Sequence, residues 1–122
     1  MINYIKFSEL PVYDQDRAIA FYTEILGFRV KQDSSYRPGW RWVELAIPGA
    51  ETRIRLIPKT AEQDDSVPSL VLVDDDVPGT YEELRMKGVL FTQTPSPAPW
   101  RSTEIYALFK DSESNTILIG SE

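Results

Sequence analysis

Displaced by half of its 122 residues, the chain falls on itself. Val12 meets Val73, Asp14 meets Asp75, Gly27 meets Gly88 and Pro38 meets Pro99. Trp40-Arg41 meets Trp100-Arg101 once one residue is removed. Each match is weak alone, because Asp caps and Gly stops recur in most proteins. At one shared offset they mark an internal repeat, and a repeat narrows the available folds sharply. The matched positions read as a strand end, a helix cap, a helix stop and a strand-to-strand loop. Both halves must therefore build the same unit. Half a chain this short closes a core poorly by itself. The two units are expected to pack on each other or on those of a second chain.

Periodicity fills in the unit. Residues 14–26 read as an amphipathic helix, with Ala18, Ile19, Phe21, Tyr22, Ile25 and Leu26 near helical spacing. Asp14 suits its N-cap and Gly27 its C-terminal stop. Residues 76–87 read as a second helix, with Pro78 in its first turn and Gly88 beyond its end. The acidic run Asp74-Asp75-Asp76 ends a strand and caps this helix. Short apolar or alternating runs predict strands at 4–12, 28–31, 42–47, 53–57, 69–73, 90–92, 104–109 and 116–119. The order predicts an α+β fold of two tandem βαβββ modules, about 1–60 and about 66–122, joined by a polar linker at 59–68. Together they make one domain over 1–122.

Composition excludes much of the chemistry. There is no Cys and no His. Disulfide frameworks, zinc fingers, iron–sulfur clusters, thiol nucleophiles, Ser-His-Asp triads and His-ligated metals are all ruled out. No side chain has an ordinary pKa near neutrality. Lys plus Arg is 13 against 19 Asp plus Glu, a net charge of -6. That balance argues against nucleic acid as a partner. No stretch has the apolar length of a membrane span. The first residues lack the charged and apolar regions of a signal peptide, so the cytoplasm is the expected compartment. Absence of Cys agrees with it.

The segment Pro11-Val12-Tyr13-Asp14-Gln15-Asp16-Arg17-Ala18-Ile19-Ala20-Phe21-Tyr22-Thr23-Glu24-Ile25-Leu26-Gly27-Phe28 carries a V-x-D turn and an F-Y-x-x-x-L-G-F helix end. It resembles the opening of the vicinal oxygen chelate superfamily of glyoxalase I, bleomycin-resistance proteins and extradiol dioxygenases. Tyr81 to Val89 resembles the second module's helix end. Pro99-Trp100 and Asp111-Ser112-Glu113-Ser114-Asn115 resemble the late P-W loop and D-P-D-G-N turn, the latter without its Pro and Gly. The resemblance spans essentially the whole chain. It implies two βαβββ modules in a curved mixed sheet or open barrel, often in a homodimer, with a small-molecule cup between modules. A fold of this breadth does not fix the chemistry.

Metalloenzymes of that family hold a divalent ion with four side chains, typically His or Glu, from the first and last strands of each module. Those positions fall here on Phe7, Arg55, Ser69 (Pro68 with a one-residue slip) and Leu118. None is a competent ligand, and Arg55 brings a repelling charge. The expectation is no metal and no other cofactor. Residues two apart on a strand share a face, so Ile5 and Glu9 accompany Phe7, and Arg53 and Ile57 accompany Arg55. Trp42 and Glu44 share a face, while Val43, Leu45 and Ile47 pack under the helix. The expected ligand-contacting set is Phe7, Glu9, Trp42, Glu44, Arg53, Arg55, Ser69, Trp100 and Leu118, with Trp40 and Trp100 at the rim. Tyr36, Tyr106 and Thr103 add polar groups without a motif.

Several roles stay open at this point. Arg55 either pairs with Glu9 or Glu44, or binds a carboxylate or phosphate of a ligand together with Arg53, or points into solvent. The tryptophans either bury in a core or a dimer interface, or clamp a flat amphipathic ligand. Glu9 and Glu44 are either partners of the arginines or a general acid–base pair. The expected function is a metal-independent, bleomycin-resistance-like protein that binds a small organic ligand in the cup between modules; the alternative is a lyase, isomerase or dioxygenase-like enzyme acting through carboxylates or a misaligned metal site.

Overall fold

The computed structural model describes all residues 1–122. They form two compact units, Met1–Gln63 and Asp64–Glu122. In the first, β1 (Phe7–Val12) leads to α1 (Gln15–Ala20), a π-helical turn (Phe21–Ile25), β2 (Arg29–Arg37), β3 (Trp40–Ala46) and β4 (Arg53–Pro58). In the second, β5 (Pro68–Val73) leads to α2 (Val77–Met86), β6 (Phe91–Ala98), β7 (Arg101–Lys110) and β8 (Thr116–Gly120). Each unit holds one four-stranded sheet, ordered β1-β4-β3-β2 and β5-β8-β7-β6. The first strand of each unit pairs parallel with the last, and the other pairs are antiparallel. Both halves are thus βαβββ modules with mixed sheets, and neither sheet closes into a barrel.

Local chemistry explains the helix ends. The Asp14 carboxylate accepts from Arg17 N (3.0 Å), and that of Asp76 accepts from Gly79 N (3.1 Å). Each satisfies a backbone donor that has no partner inside the helix. Gly27 and Gly88 follow the helices at φ 79° and 89°, a left-handed conformation that glycine adopts without strain. The first helix is not regular over 14–26 as periodicity predicts. After Ala20 it widens, and Leu26 N donates to Phe21 O across five residues (3.3 Å). The Thr23 hydroxyl donates back to Ile19 O at 2.7 Å. Gln15 ties the helix start to β3, donating to Arg41 O (2.8 Å) and accepting from Arg41 N (3.1 Å).

The first core joins Leu10, Val12, Val43, Leu45, Ile54 and Leu56 of the sheet with Ala18 and Tyr22, all buried. Tyr22 packs on Phe28 with centroids 5.4 Å apart. The second core joins Leu70, Ala107, Phe109, Ile117 and Ile119 with Val77 and Leu84. Tyr81, Phe91 and Phe109 form a ring chain at 4.8 and 5.4 Å.

Two strands run well beyond the ranges predicted at 28–31 and 90–92. Every residue of β2 is exposed, so its Gln32-Asp33-Ser34-Ser35 stretch has no apolar alternation to read. β6 contains Pro95 and Pro97, which look like strand breakers. Both are edge strands, where a missing donor or a polar side chain is tolerated. Two-residue turns, Pro38-Gly39 and Pro99-Trp100, join β2 to β3 and β6 to β7. β1 starts at Phe7 rather than residue 4, and β7 at Arg101 rather than 104. β3 ends at Ala46, leaving Ile47 outside it and partly exposed.

Candidate functional site

Strand alternation splits the first sheet into two unlike faces. One packs under α1. The other carries Phe7 and Glu9 of β1, Trp42 and Glu44 of β3, and Arg53 and Arg55 of β4. Register places Phe7 beside Arg53, Glu9 beside Arg55, and Glu44 on the other side of Arg55.

These six side chains form one connected network. Arg55 Nη1 donates to Glu9 Oε2 at 2.9 Å. Its guanidinium carbon stands 4.0 Å from the Trp42 ring centroid and 5.9 Å from that of Tyr36. Phe7 and Tyr36 both meet Trp42 edge-on, at 5.8 and 5.2 Å. The Trp42 indole N–H donates to Glu44 Oε2 (2.6 Å), and Arg53 Nη1 donates to Glu44 Oε1 (2.9 Å). Trp42 therefore offers its electron-rich face to a cation and its positive edge to an anion.

The Glu44 side chain is only 5% exposed. Burial alone would raise its pKa. The hydrogen bonds from Trp42 and Arg53, with the nearby charges of Arg53 and Lys6, outweigh burial and hold it below the usual carboxylate value. Glu44 is thus an anion at neutral pH, with both oxygens engaged.

The second unit repeats the arrangement. Trp100 Nε1 donates to Glu104 Oε2 (2.7 Å), and Arg101 Nη2 donates to Glu104 Oε1 (3.2 Å). Tyr106 lies edge-on to Trp100 at 5.0 Å. Tyr106, Gly120 and Leu118 lie on one face of this sheet through the β7–β8 register. Leu118 is largely buried. Ser69 sits in a register break between Pro68 and Leu70. Trp40 uses its indole N–H differently, donating to Leu56 O at 3.3 Å.

Sequence reasoning names Tyr36 only as a polar group without a motif, and it misses Glu104. Tyr36 lies beyond the strand predicted at 28–31, and the Pro38-Gly39 turn after it is the signal for a longer strand. Glu104 was not singled out, yet the offset that aligns Trp40-Arg41 with Trp100-Arg101 also sets Glu44 on Glu104.

The four positions that the family resemblance gives for a divalent ion do not fit one. Phe7 and Leu118 have no donor atom, and Arg55 holds a fixed positive charge paired to Glu9. No three Asp or Glu side chains gather in reach of a common ion.

A βαβββ pair with a polar–aromatic sheet face defines the structural class. The profile of the glyoxalase/bleomycin resistance protein/dioxygenase superfamily matches residues 2–119, and the chain belongs to that superfamily. It is 34% identical over 121 residues to the uncharacterized protein YetH of Bacillus subtilis (strain 168), covering 98% of each chain. Among solved structures it is similar to TnmS3, an antibiotic binding protein from Streptomyces sp. CB03234, at 30% identity and TM-score 0.82, covering 98% of this chain and 96% of that one. It is similar to UcmS2 at 29% identity and TM-score 0.82, covering 100% of both chains. No helix is long and apolar enough to cross a membrane.

Proposed function

We propose that the chain is a metal-independent binding protein for a small, flat organic ligand. The observation that carries this reading is Trp42, framed by Phe7, Tyr36 and the Arg55 guanidinium on one sheet face. Aromatic and guanidinium planes at such spacing suit stacking on a conjugated ring. Similarity to an antibiotic binding protein over nearly the whole chain supports it. The proposed contacts in the first unit are Phe7, Glu9, Trp42, Glu44, Arg53 and Arg55. Ser69, Trp100 and Leu118 are proposed for the second unit's own sheet. A homodimer in the cytoplasm completes the proposal, supported by the small size of each unit and by the exposed Val71 (70%) and Val73 (66%) of β5.

Nothing favours catalysis by Glu9 or Glu44 over binding. A general base works best when its pKa is near the operating pH. Glu9 gives one oxygen to Arg55, and both oxygens of Glu44 accept from donors that lower its affinity for a proton.

Tryptophan fluorescence tests the proposal. Titration with a panel of polycyclic and heteroaromatic compounds is expected to give saturable quenching for at least one chemical class. Trp42→Ala should weaken that binding at least tenfold. Absence of saturable quenching across the panel contradicts the reading.

A further inference from the structure

A groove of about 570 Å³ opens on the first unit, and its wall includes Lys6, Lys31, Gly49, Ala50, Glu51 and Arg53. The β3–β4 connection contributes the small residues Gly49 and Ala50 to its wall. A side chain at Gly49 would meet no atom within 4 Å. Three cations and one carboxylate line it, in a chain whose net charge is -6.

The cations arrive by defined routes. Lys6 O accepts from Arg53 N at 2.9 Å, which sets the two residues side by side at the start of the β1–β4 ladder. Lys31 is the extra residue of a bulge, between Val30 paired to Leu45 and Gln32 paired to Glu44. Bulges re-aim a side chain out of the strand's regular alternation. Neither Lys6 nor Lys31 forms an ion pair, with Glu51 or with any other acid. Arg53 gives one N–H to Glu44 and has further donors to offer. Lys6 Nζ also lies 5.5 Å from the Phe7 ring centroid, which joins the groove to the aromatic face.

We propose that this groove binds the anionic group, a phosphate or a carboxylate, of a small organic ligand whose ring stacks at Trp42. The proposal names a ligand class for the binding function above and rests on that reading. Two unpaired ammonium groups and a guanidinium around an open groove are the chemistry such an anion needs.

The test is amide NMR of the full chain, titrated separately with inorganic phosphate and with acetate, at low and at raised NaCl. The expected result is saturable shifts at Lys6, Lys31, Gly49 and Ala50 with one or both anions, weakened by salt. The stronger anion identifies the group. In Lys6→Gln/Lys31→Gln the affinity should fall at least tenfold. Shifts that never saturate, or equal affinity in the variant, overturn the proposal. Quenching by uncharged aromatic compounds is read separately from Trp42. Quenching without anion binding therefore refutes the groove alone, and its absence counts against the binding function itself.

Discussion

Trp42 and Glu44 show how single residues hold the site face together. Arg53→Ala leaves the nearly buried Glu44 with the Trp42 N–H as its remaining side-chain donor. Losing a charged partner there should cost about 2 kcal/mol of stability, measurable by urea denaturation. The depressed pKa of Glu44 gives a second expectation. Its contribution is full above the ordinary Glu pKa and is lost as pH falls toward the lower folded value. Stability measured across the acid range should therefore fall less steeply in Glu44→Gln than in the parent; identical slopes would show that Glu44 is not the linked group. Residue identities on this face were legible in sequence, because alternation alone put Phe7 with Glu9, Arg53 with Arg55 and Trp42 with Glu44. The choice of partners was not. Alternation cannot say whether Arg55 turns to Glu9 or to Glu44, and only the register and the stacking on Trp42 decide it.

Elements were legible where they carry a cap or bury an alternating face. Asp14, Gly27, Asp76 and Gly88 bound the two helices at the positions read from sequence. Asp76→Ala should destabilise by about 1 kcal/mol through the lost bond to Gly79 N. Gly79→Ala should also destabilise, because its Cβ would collide with Oδ2 of the Asp76 carboxylate, whose Oδ1 caps the helix. Thermal melts of both variants check this; an unshifted melt in Asp76→Ala would show that the cap is replaced. Elements were illegible where nothing is buried. β2 is exposed throughout and β6 is interrupted by prolines, so propensity ended each strand too early. The short prediction left Tyr36 outside the strand and Lys31 at a strand end instead of in a bulge. The π-helical turn had no signal either, since the apolar spacing over 14–26 fits a regular helix.

The whole molecule follows from duplication. One βαβββ plan is used twice, and the Trp–Glu–Arg cluster is used twice with it, at Trp42-Glu44-Arg53 and Trp100-Glu104-Arg101. The second copy draws its Trp from a turn instead of a strand, so equal chemistry does not follow from equal positions. Family membership and module plan could be read from the opening motif and the repeat. The ligand could not, because sequence alone does not show which charged side chains are left without an ion-pair partner, as Lys6 and Lys31 are. Sedimentation velocity is expected to show a dimer at micromolar concentration; a monomer there removes that part of the proposal. The central claim is that Trp42 and its neighbours bind a flat organic ligand with no metal. Fluorescence titration of chelator-treated protein, repeated with added Ni, Zn, Fe and Mn salts, tests it most directly. The account predicts one affinity with and without metal, and at least tenfold loss in Trp42→Ala. Binding that appears only with a divalent ion, or that survives Trp42→Ala unchanged, would contradict it.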